Sequence, residues 1–186
     1  GTSTYLMLFG YTLEVLRVDK LALVWGYIFH IAAFLGVLYA IHEGDRLQSA
    51  MAQIYMGSAI AAVFAGDLIT LFVFWELTSL SSYLLIGYFN HESSSRSAAK
   101  KALVITSLGG FFMLLGFLLI HSLTGSFDLT FLLSQPESIQ FILRENGIFL
   151  PILFAIIIAG ASKSAQIPFH IWLPSAMVAP TPVSAF

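Results

Sequence analysis

Long apolar stretches alternate with short polar groups along this chain, which is the pattern of a protein that crosses a membrane several times. At ~1.5 Å per helical residue, a stretch of about twenty residues covers a hydrocarbon core ~30 Å thick. The pattern predicts five helices, named A to E in chain order. Helices A to D are predicted at 21–41, 49–65, 68–88 and 102–123, and helix E begins near Ile148. We expect a sixth helix to begin near Pro180.

Polar segments set the boundaries of the predicted membrane domain. Residues 1–20 contain four charged side chains, so we expect a lead-in at the membrane surface, followed by a transmembrane domain over residues 21–186. The loop from Asn90 to Lys101, between helices C and D, has the densest group of basic residues. These residues are Arg96, Lys100 and Lys101. Because cytoplasmic loops of membrane proteins are enriched in Lys and Arg, we predict that this loop is cytoplasmic.

The composition supports a membrane protein and argues against several other classes. The chain is 58% hydrophobic and 10% charged, which is not typical of a soluble domain. A net charge of −2 argues against a nucleic-acid partner. The sequence has no cysteine, no HExxH or GxSxG motif and no glycine-rich phosphate loop, so we expect neither an enzyme nor a bound metal or cofactor. We predict an all-α polytopic bundle in the cell membrane. Because the chain ends directly after PTPVSA, we expect a fragment of a longer protein.

Helix C contains one carboxylate, Glu76, near the middle of FVFWELTSLSSYLLIGY. A charge at the centre of a bilayer costs roughly 2.5 to 3.5 kcal/mol, so this side chain should face a charged partner or water. Lys163, in IIIAGASKSAQIPFHIWLP, is the basic residue that lies inside an apolar stretch rather than at its edge. We therefore predict that Glu76 and Lys163 are partners.

A break in helix E is predicted beside Lys163 because of Pro168. Proline has no backbone N–H, so the carbonyl of Ser164 would lose its helical partner. Non-helical backbone at membrane depth occurs where it is buried in protein or lines a hydrated cavity. There, Glu76 and Lys163 could form a proton switch, in which making or breaking the pair changes the protonation of the lysine. The alternative is a static salt bridge that fixes helix packing.

Other polar residues near these two are weaker candidates. His170 follows Pro168 closely, and both a packing role and contact with a hydrated path stay open for it. Asp67 is predicted to accept backbone hydrogen bonds at the start of helix C. Four hydroxyl side chains follow Glu76, and for them we expect hydrogen bonds between helices, or water on the face of Glu76. They are Thr78, Ser79, Ser81 and Ser82.

Two stretches, FVFWELTSLSSYLLIGY and GASKSAQIPFHIWLPSAMVAPTPVSA, resemble a known family. It comprises the proton-translocating antiporter-like subunits of multisubunit Na⁺/H⁺ antiporters (Mrp type) and of the membrane arm of respiratory complex I. The resemblance covers 21–186, and the motifs are most similar to the large A-type Mrp subunit. In this family the glutamate of the WEL motif and the lysine of the KSAQ motif are the key protonatable pair, which implies that role for Glu76 and Lys163. The family's lysine-bearing helix is discontinuous, and its fold has two inverted repeats of five helices, so this chain would contain most of the first repeat.

The resemblance implies a subunit of a monovalent cation/proton antiporter, with other membrane subunits, the lipid bilayer, protons and Na⁺ as partners. One departure concerns helix D, where the complex I subunit is expected to carry an acid and this chain has Gly109 and Gly110. The departure favours the Mrp type. Two alternatives remain open: an antiporter-like proton-pumping subunit of complex I or of a membrane-bound hydrogenase, and a structural scaffold with a static salt bridge.

Overall fold

A computed structural model describes residues 2–8, 10–40, 45–88 and 93–177 of the chain. Within these residues, a two-stranded hairpin precedes a bundle of helices. The strands are β1 (Thr2–Leu8) and β2 (Tyr11–Val18). The helices are α1 (Lys20–Ala40), α2 (Arg46–Val63), α3 (Leu68–Ile86), α4 (Ser93–Thr124), α5 (Leu129–Ser134), α6 (Pro136–Glu145), α7 (Phe149–Lys163) and α8 (Trp172–Ala176), with a 3₁₀ turn at Phe169–Ile171 before α8. The predicted start of a sixth membrane helix near Pro180 lies outside the described residues.

The hairpin makes the all-α prediction wrong for the first segment of the chain. Its strands are antiparallel, and Leu8 pairs with Tyr11 across the turn. Gly10 has a φ of +83° in this turn, a conformation that residues with a side chain rarely adopt. Both strands contain Thr and Tyr, and β2 also contains two Val; the branched or aromatic side chains of these residues favour extended backbone. This preference explains the hairpin, and the location of the segment at the membrane surface stays a prediction.

Helices lie at the places predicted for A to E, and three of them are long and apolar enough to cross a membrane. Among the described residues these are α1, α3 and α4. The number rises to four if α6 and α7, which meet at an angle of 111°, form one span. The helix α2 occupies the position of helix B but does not belong to this set. The polytopic helical bundle is confirmed, whereas the count of five crossings and the inverted repeat stay predictions.

The first turns of α4 replace most of the loop predicted between helices C and D. Residues 93–101 are helical, because one side of this segment packs closely on the end of α3. Ala98, Ala99 and Ala102 are buried against Ile86, and the Ser95 hydroxyl donates to the Ile86 carbonyl at 2.6 Å. The 32 residues of α4 extend ~48 Å, which exceeds the ~30 Å hydrocarbon core. A helix of this length can cross the membrane and still project its basic first turns beyond it, and the side on which they lie stays a prediction.

The central helix of the bundle is α4, which packs against both α3 and α7. Met113 and Phe117 of α4 form a buried cluster with Leu68 of α3 and Ala159 of α7. This packing places the middle of α3 and the end of α7 on the same stretch of α4. The two predicted charged residues, which are far apart in the sequence, are thereby brought into one region.

The hairpin is fastened to the bundle through a buried carboxylate, Glu14. The residue belongs to the segment predicted at the membrane surface, and within the protein it is only 1% exposed. The Ser3 hydroxyl donates to Oε1 of Glu14, and the Thr130 hydroxyl of α5 donates to Oε2 at 3.0 Å. The backbone N–H of Gly66 also donates to the Glu14 carbonyl at 3.0 Å. Hydrogen bonds compensate the cost of burying the carboxylate, and the placement of this segment at the membrane surface stays a prediction.

Candidate functional site

The helix α7 ends at Lys163, within the predicted break. Ala165 adopts a φ of +52°, and the N–H of Gln166 donates to the carbonyl of Ala161 at 2.8 Å. A left-handed residue followed by such a bond is a Schellman-type helix end. The chain thus leaves the helix before it reaches Pro168, in keeping with the poor tolerance of helical conformation just before a proline. The interruption is confirmed, and its direct cause is this cap rather than a missing partner for the Ser164 carbonyl.

The segment after the break is tied back to α7 by one side chain, Trp172. Its indole N–H donates to the carbonyl of Ser162 at 2.9 Å, so one of the carbonyls freed by the end of the helix is satisfied. The indole also packs against the buried alanine cluster at the start of α4. The fifteen residues of α7 extend only ~22 Å, less than the ~30 Å core. A helix of this length that starts at one membrane surface ends inside the membrane.

Lys163 reaches from the end of α7 across to α3. Its ammonium donates to the Ser79 hydroxyl at 2.6 Å and to the Trp75 carbonyl at 3.1 Å. The same nitrogen lies 5.5 Å from the centroid of the Trp75 ring, within the range of a cation–π interaction. As the last residue of α7, Lys163 also sits at the negative end of the helix dipole, where a cation is favoured. The ammonium therefore has several neutral partners at the break.

Glu76 lies on α3 between the two residues that hold the ammonium. Its Oε1 is buried and has no hydrogen-bond partner among the described residues, while the Ser107 side chain of α4 interacts with the carboxyl group. The carboxylate lies directly against Gly110, where an added methyl group would overlap Oε1. The neighbouring Gly109 accommodates the Ser162 side chain of α7 in the same way. Two adjacent glycines thus allow α3 and α7 to place polar side chains against α4.

The two charges lie close together without forming a direct ion pair. Glu76 and Lys163 interact electrostatically. The ion pair that the described residues do form is instead between Arg17 and Asp19, at 3.2 Å. The predicted partners are therefore neighbours, but the static salt bridge considered from the sequence is not present in this structure.

The remaining predicted site residues have different surroundings. His170 lies in the 3₁₀ turn with an exposed side chain, and among the described residues no hydrogen bond joins it to Glu76 or Lys163. Asp67 caps α3 as predicted, because its Oδ1 accepts the N–H of Thr70 at 2.7 Å. Within the part of the chain that the structure describes, no group of three potential metal-ligating side chains occurs.

Sequence reasoning missed the contributions of Trp75, Ser79 and Gly110. Trp75 contributes its backbone carbonyl, and because every residue has a carbonyl, the identity of the residue gives no sign of this role. Ser79 was one of four equivalent hydroxyls in the sequence, and Gly110 entered only as a departure from a related subunit. Residues 75, 76 and 79 fall on one side of a helix with 3.6 residues per turn, so this spacing was the available signal.

Comparison with known proteins identifies the family. A family model described as "NADH:quinone oxidoreductase/Mrp antiporter, TM" matches residues 65–186, well over half of the chain. The matched region contains α3 and the whole segment from α4 to α8, and so includes both Glu76 and Lys163.

Two relatives are similar over nearly the whole chain. An A/B-type subunit of a probable K⁺/H⁺ antiporter from Rhizobium meliloti (strain 1021) is 40% identical over 176 residues, which cover 92% of this chain and 17% of that protein. An A-type subunit of a Na⁺/H⁺ antiporter from Alkalihalophilus pseudofirmus is 39% identical over 175 residues, which cover 91% of this chain and 21% of that protein. The chain therefore spans about a fifth of the length of these relatives.

Solved structures show the same fold. The Mrp complex from Dietzia sp. DQ12-45-1b contains a chain that matches with a TM-score of 0.87 and 30% identity, covering 98% of this chain and 20% of that one. An archaeal membrane-bound sulfane sulfur reductase matches with a TM-score of 0.75 and 24% identity, covering 95% of this chain and 36% of that one, and this likeness shows the fold alone. From the family match and the sequence identities, this chain belongs to the NADH:quinone oxidoreductase/Mrp antiporter transmembrane family.

Proposed function

We propose that the chain is part of a subunit of a multisubunit monovalent cation/proton antiporter of the cell membrane. In this proposal, Glu76 and Lys163 transfer protons along a hydrated path inside the membrane. One observation carries it: Lys163, at the end of a broken helix, is held by neutral groups on both sides of Glu76, whose own Oε1 has no partner among the described residues. A carboxylate with one buried, unpartnered oxygen and an ammonium that are close but not bound to each other are free to change partners.

The chemistry follows from the charge of Glu76. An ionised Glu76 attracts the ammonium and favours protonated Lys163, whereas a protonated Glu76 removes this attraction. Lys163 can then release its proton toward another acceptor along the path. The break supplies polar backbone beside Lys163 for a hydrated path, since non-helical backbone at membrane depth lines cavities or is buried in protein. Each proton that reaches Glu76 would thus promote the release of one from Lys163.

The relatives support a cation/proton antiporter rather than a redox-driven pump. Those with 39% and 40% identity are named as subunits of Na⁺/H⁺ and K⁺/H⁺ antiporters. For this chain we propose a monovalent cation, with Na⁺ as the first candidate, and other membrane subunits as partners. Gly109 and Gly110 also favour the antiporter assignment. The space beside these two glycines is occupied by the side chains of Ser162 and Glu76, so an acidic side chain at either position would not fit.

The proposal is tested by replacing Lys163 with alanine in the intact antiporter complex. Cation-driven proton flux is measured in inverted membrane vesicles, and assembly of the complex is checked in parallel. We expect flux to fall to background, since the ammonium is the proton-carrying group. Lys101→Ala is the matched control, because this lysine lies exposed on α4 and should leave flux unchanged.

Wild-type flux in an assembled Lys163→Ala complex would refute the proposal. In that case the polar contacts of Lys163 would serve packing alone, as in the scaffold alternative. Loss of flux in the Lys101→Ala control as well would show that the assay responds to any lost lysine, and would equally remove the support for Lys163.

A further inference from the structure

Four hydroxyl side chains follow Glu76 on α3, and one of them differs from the rest. Thr78, Ser81 and Ser82 donate their hydroxyls to carbonyls three or four residues earlier in α3, at 2.6 to 2.7 Å. These three are therefore engaged by their own helix. Ser79 is instead 1% exposed and accepts a hydrogen bond from Lys163, on another helix. Of the four hydroxyls, the Ser79 hydroxyl is therefore the one that binds the last residue of α7.

The position of Ser79 relative to Glu76 is what makes this contact informative. Trp75 precedes Glu76 directly, and Ser79 lies three residues beyond it, so the ammonium spans the carboxylate-bearing residue without binding the carboxylate. A buried ammonium needs hydrogen-bond partners, because leaving a charge unpaired in a medium of low dielectric constant is costly. Ser79 and the Trp75 carbonyl meet this need without contributing a charge.

A neutral partner differs from a carboxylate in how firmly it holds a lysine. A direct ion pair between desolvated groups has a large Coulomb attraction, and a hydroxyl oxygen has a much smaller one. The ammonium can therefore leave Ser79 more easily than it could leave an ionised Glu76. Meanwhile Oε1 of Glu76, which no described residue binds, lies next to Gly110 and is available to the ammonium or to a proton.

From these contacts we infer that Ser79 is a positioning residue that gives the Lys163 ammonium a second resting place, used when the lysine is not paired with Glu76. Lys163 keeps its proton as it moves between the two places, and the Ser79 hydroxyl supplies the acceptor that makes the unpaired ammonium stable. The inference rests on the proposed function of Lys163 and adds a residue that decides how readily the lysine leaves the carboxylate.

The test compares Ser79→Ala with Ser81→Ala in the intact complex. Both serines are 1% exposed and lie on the same helix, but the Ser81 hydroxyl contacts only carbonyls of α3. Glu76 is the ionisable group whose charge acts on Lys163, while α4 presents uncharged glycines there and His170 beyond the break is exposed. The readout is the pH dependence of cation-driven proton flux, in particular the alkaline limb, where the lysine loses its proton.

We expect Ser79→Ala to move this limb toward lower pH by about one unit. Loss of an acceptor for a charged donor changes the population of the protonated lysine by about tenfold, which equals about one unit on the pH scale. Ser81→Ala should leave the limb in place. If Ser79→Ala does not assemble, Ser79→Cys keeps the side-chain volume but offers a weaker acceptor, and a smaller shift in the same direction is expected.

An unshifted limb in Ser79→Ala, or in an assembled Ser79→Cys complex, would overturn the inference. An equal shift in Ser81→Ala would overturn it as well, because any small change in α3 would then have the same effect. Failure of the inference is separable from failure of the proposed function. Lys163→Ala without flux, together with an unshifted Ser79 variant, would leave Lys163 as the proton carrier and assign Ser79 to packing alone.

Discussion

Two glutamates of this protein have buried carboxylate oxygens, and they differ in how these oxygens are satisfied: Glu14 at the hairpin is fully buried, whereas Glu76 in the bundle is half-buried with its Oε1 enclosed. Both carboxylate oxygens of Glu14 accept hydrogen bonds from hydroxyls, those of Ser3 and Thr130. For Glu76, Oε1 is buried without a partner among the described residues. Buried polar groups in proteins are nearly always satisfied, and the exceptions require a reason. From this contrast we propose that Glu14 joins segments of the fold, whereas Glu76 keeps an oxygen available for a proton or a cation.

The surroundings of the two carboxylates differ in the same way. Around Glu14, the hairpin, the turn at Gly66 and the helix α5 are fixed to each other through hydrogen bonds. Glu76 is instead surrounded by groups that do not fix its carboxylate. These are the interrupted helix α7, the two adjacent glycines of α4 and Lys163, which binds neutral partners. Strongly constrained polar groups stabilise a fold, while incompletely satisfied ones concentrate at functional sites.

The largest effect on stability is expected for Glu14→Ala. The change leaves the hydroxyls of Ser3 and Thr130 without their acceptor and should destabilise the hairpin by about 3 kcal/mol. The apparent midpoint of thermal unfolding of the purified complex should therefore fall, whereas flux per assembled complex should stay at the wild-type level. Intact assembly with lost flux would contradict the assignment of Glu14 to the fold.

A smaller effect, on transport rather than stability, is expected for Gly110→Ala. The added methyl group would overlap Oε1 of Glu76, so the carboxylate must move away from its place against α4. We expect the proton flux to fall about tenfold. This loss corresponds to a free-energy cost of about 1.4 kcal/mol for returning the displaced Glu76 carboxylate to its original place. Alanine is intrinsically favoured over glycine inside a helix, so a loss of activity would come from the contact.

Gly160→Ala is the control for this substitution. Gly160 lies inside α7 near the break, and an added methyl group there meets nothing within 4 Å. Its flux should equal that of the wild type, measured in the same vesicles. Equal loss in both variants, or no loss in Gly110→Ala, would show that the close contact between α4 and Glu76 has no functional importance.

Sequence reasoning named Glu76 and Lys163 as neighbours but did not predict the neutral groups that Lys163 contacts. The start of α3 at Asp67 and the break after Lys163 followed from local chemistry, namely a capping carboxylate and a proline, and both are visible in a short stretch of sequence. The contact of Lys163 with Ser79 joins residues that are 84 positions apart, and it exists because α4 lies between α3 and α7. No local pattern specifies such a contact.

The hairpin was missed for a related reason. The charged residues of this segment, Glu14 among them, predict only a polar lead-in, and the Thr130 hydroxyl that donates to Glu14 lies 116 positions further along the chain. The early start of α4 at Ser93 was hidden by a polar composition, because its buried side consists only of Ser95 and small alanines. Polar or small residues that face a neighbouring helix do not produce the apolar pattern by which helices are recognised in sequence.

The central claim is that, of the two glutamates with buried carboxylate oxygens, Glu76 is the one that moves protons. Its most direct test is the cation-driven proton flux of Glu76→Gln in the intact complex, normalised to the amount of assembled complex. The amide keeps the shape of the side chain but cannot carry a negative charge or exchange a proton near neutral pH. We predict flux at background with assembly at the wild-type level. Wild-type flux from a fully assembled Glu76→Gln complex would contradict the claim.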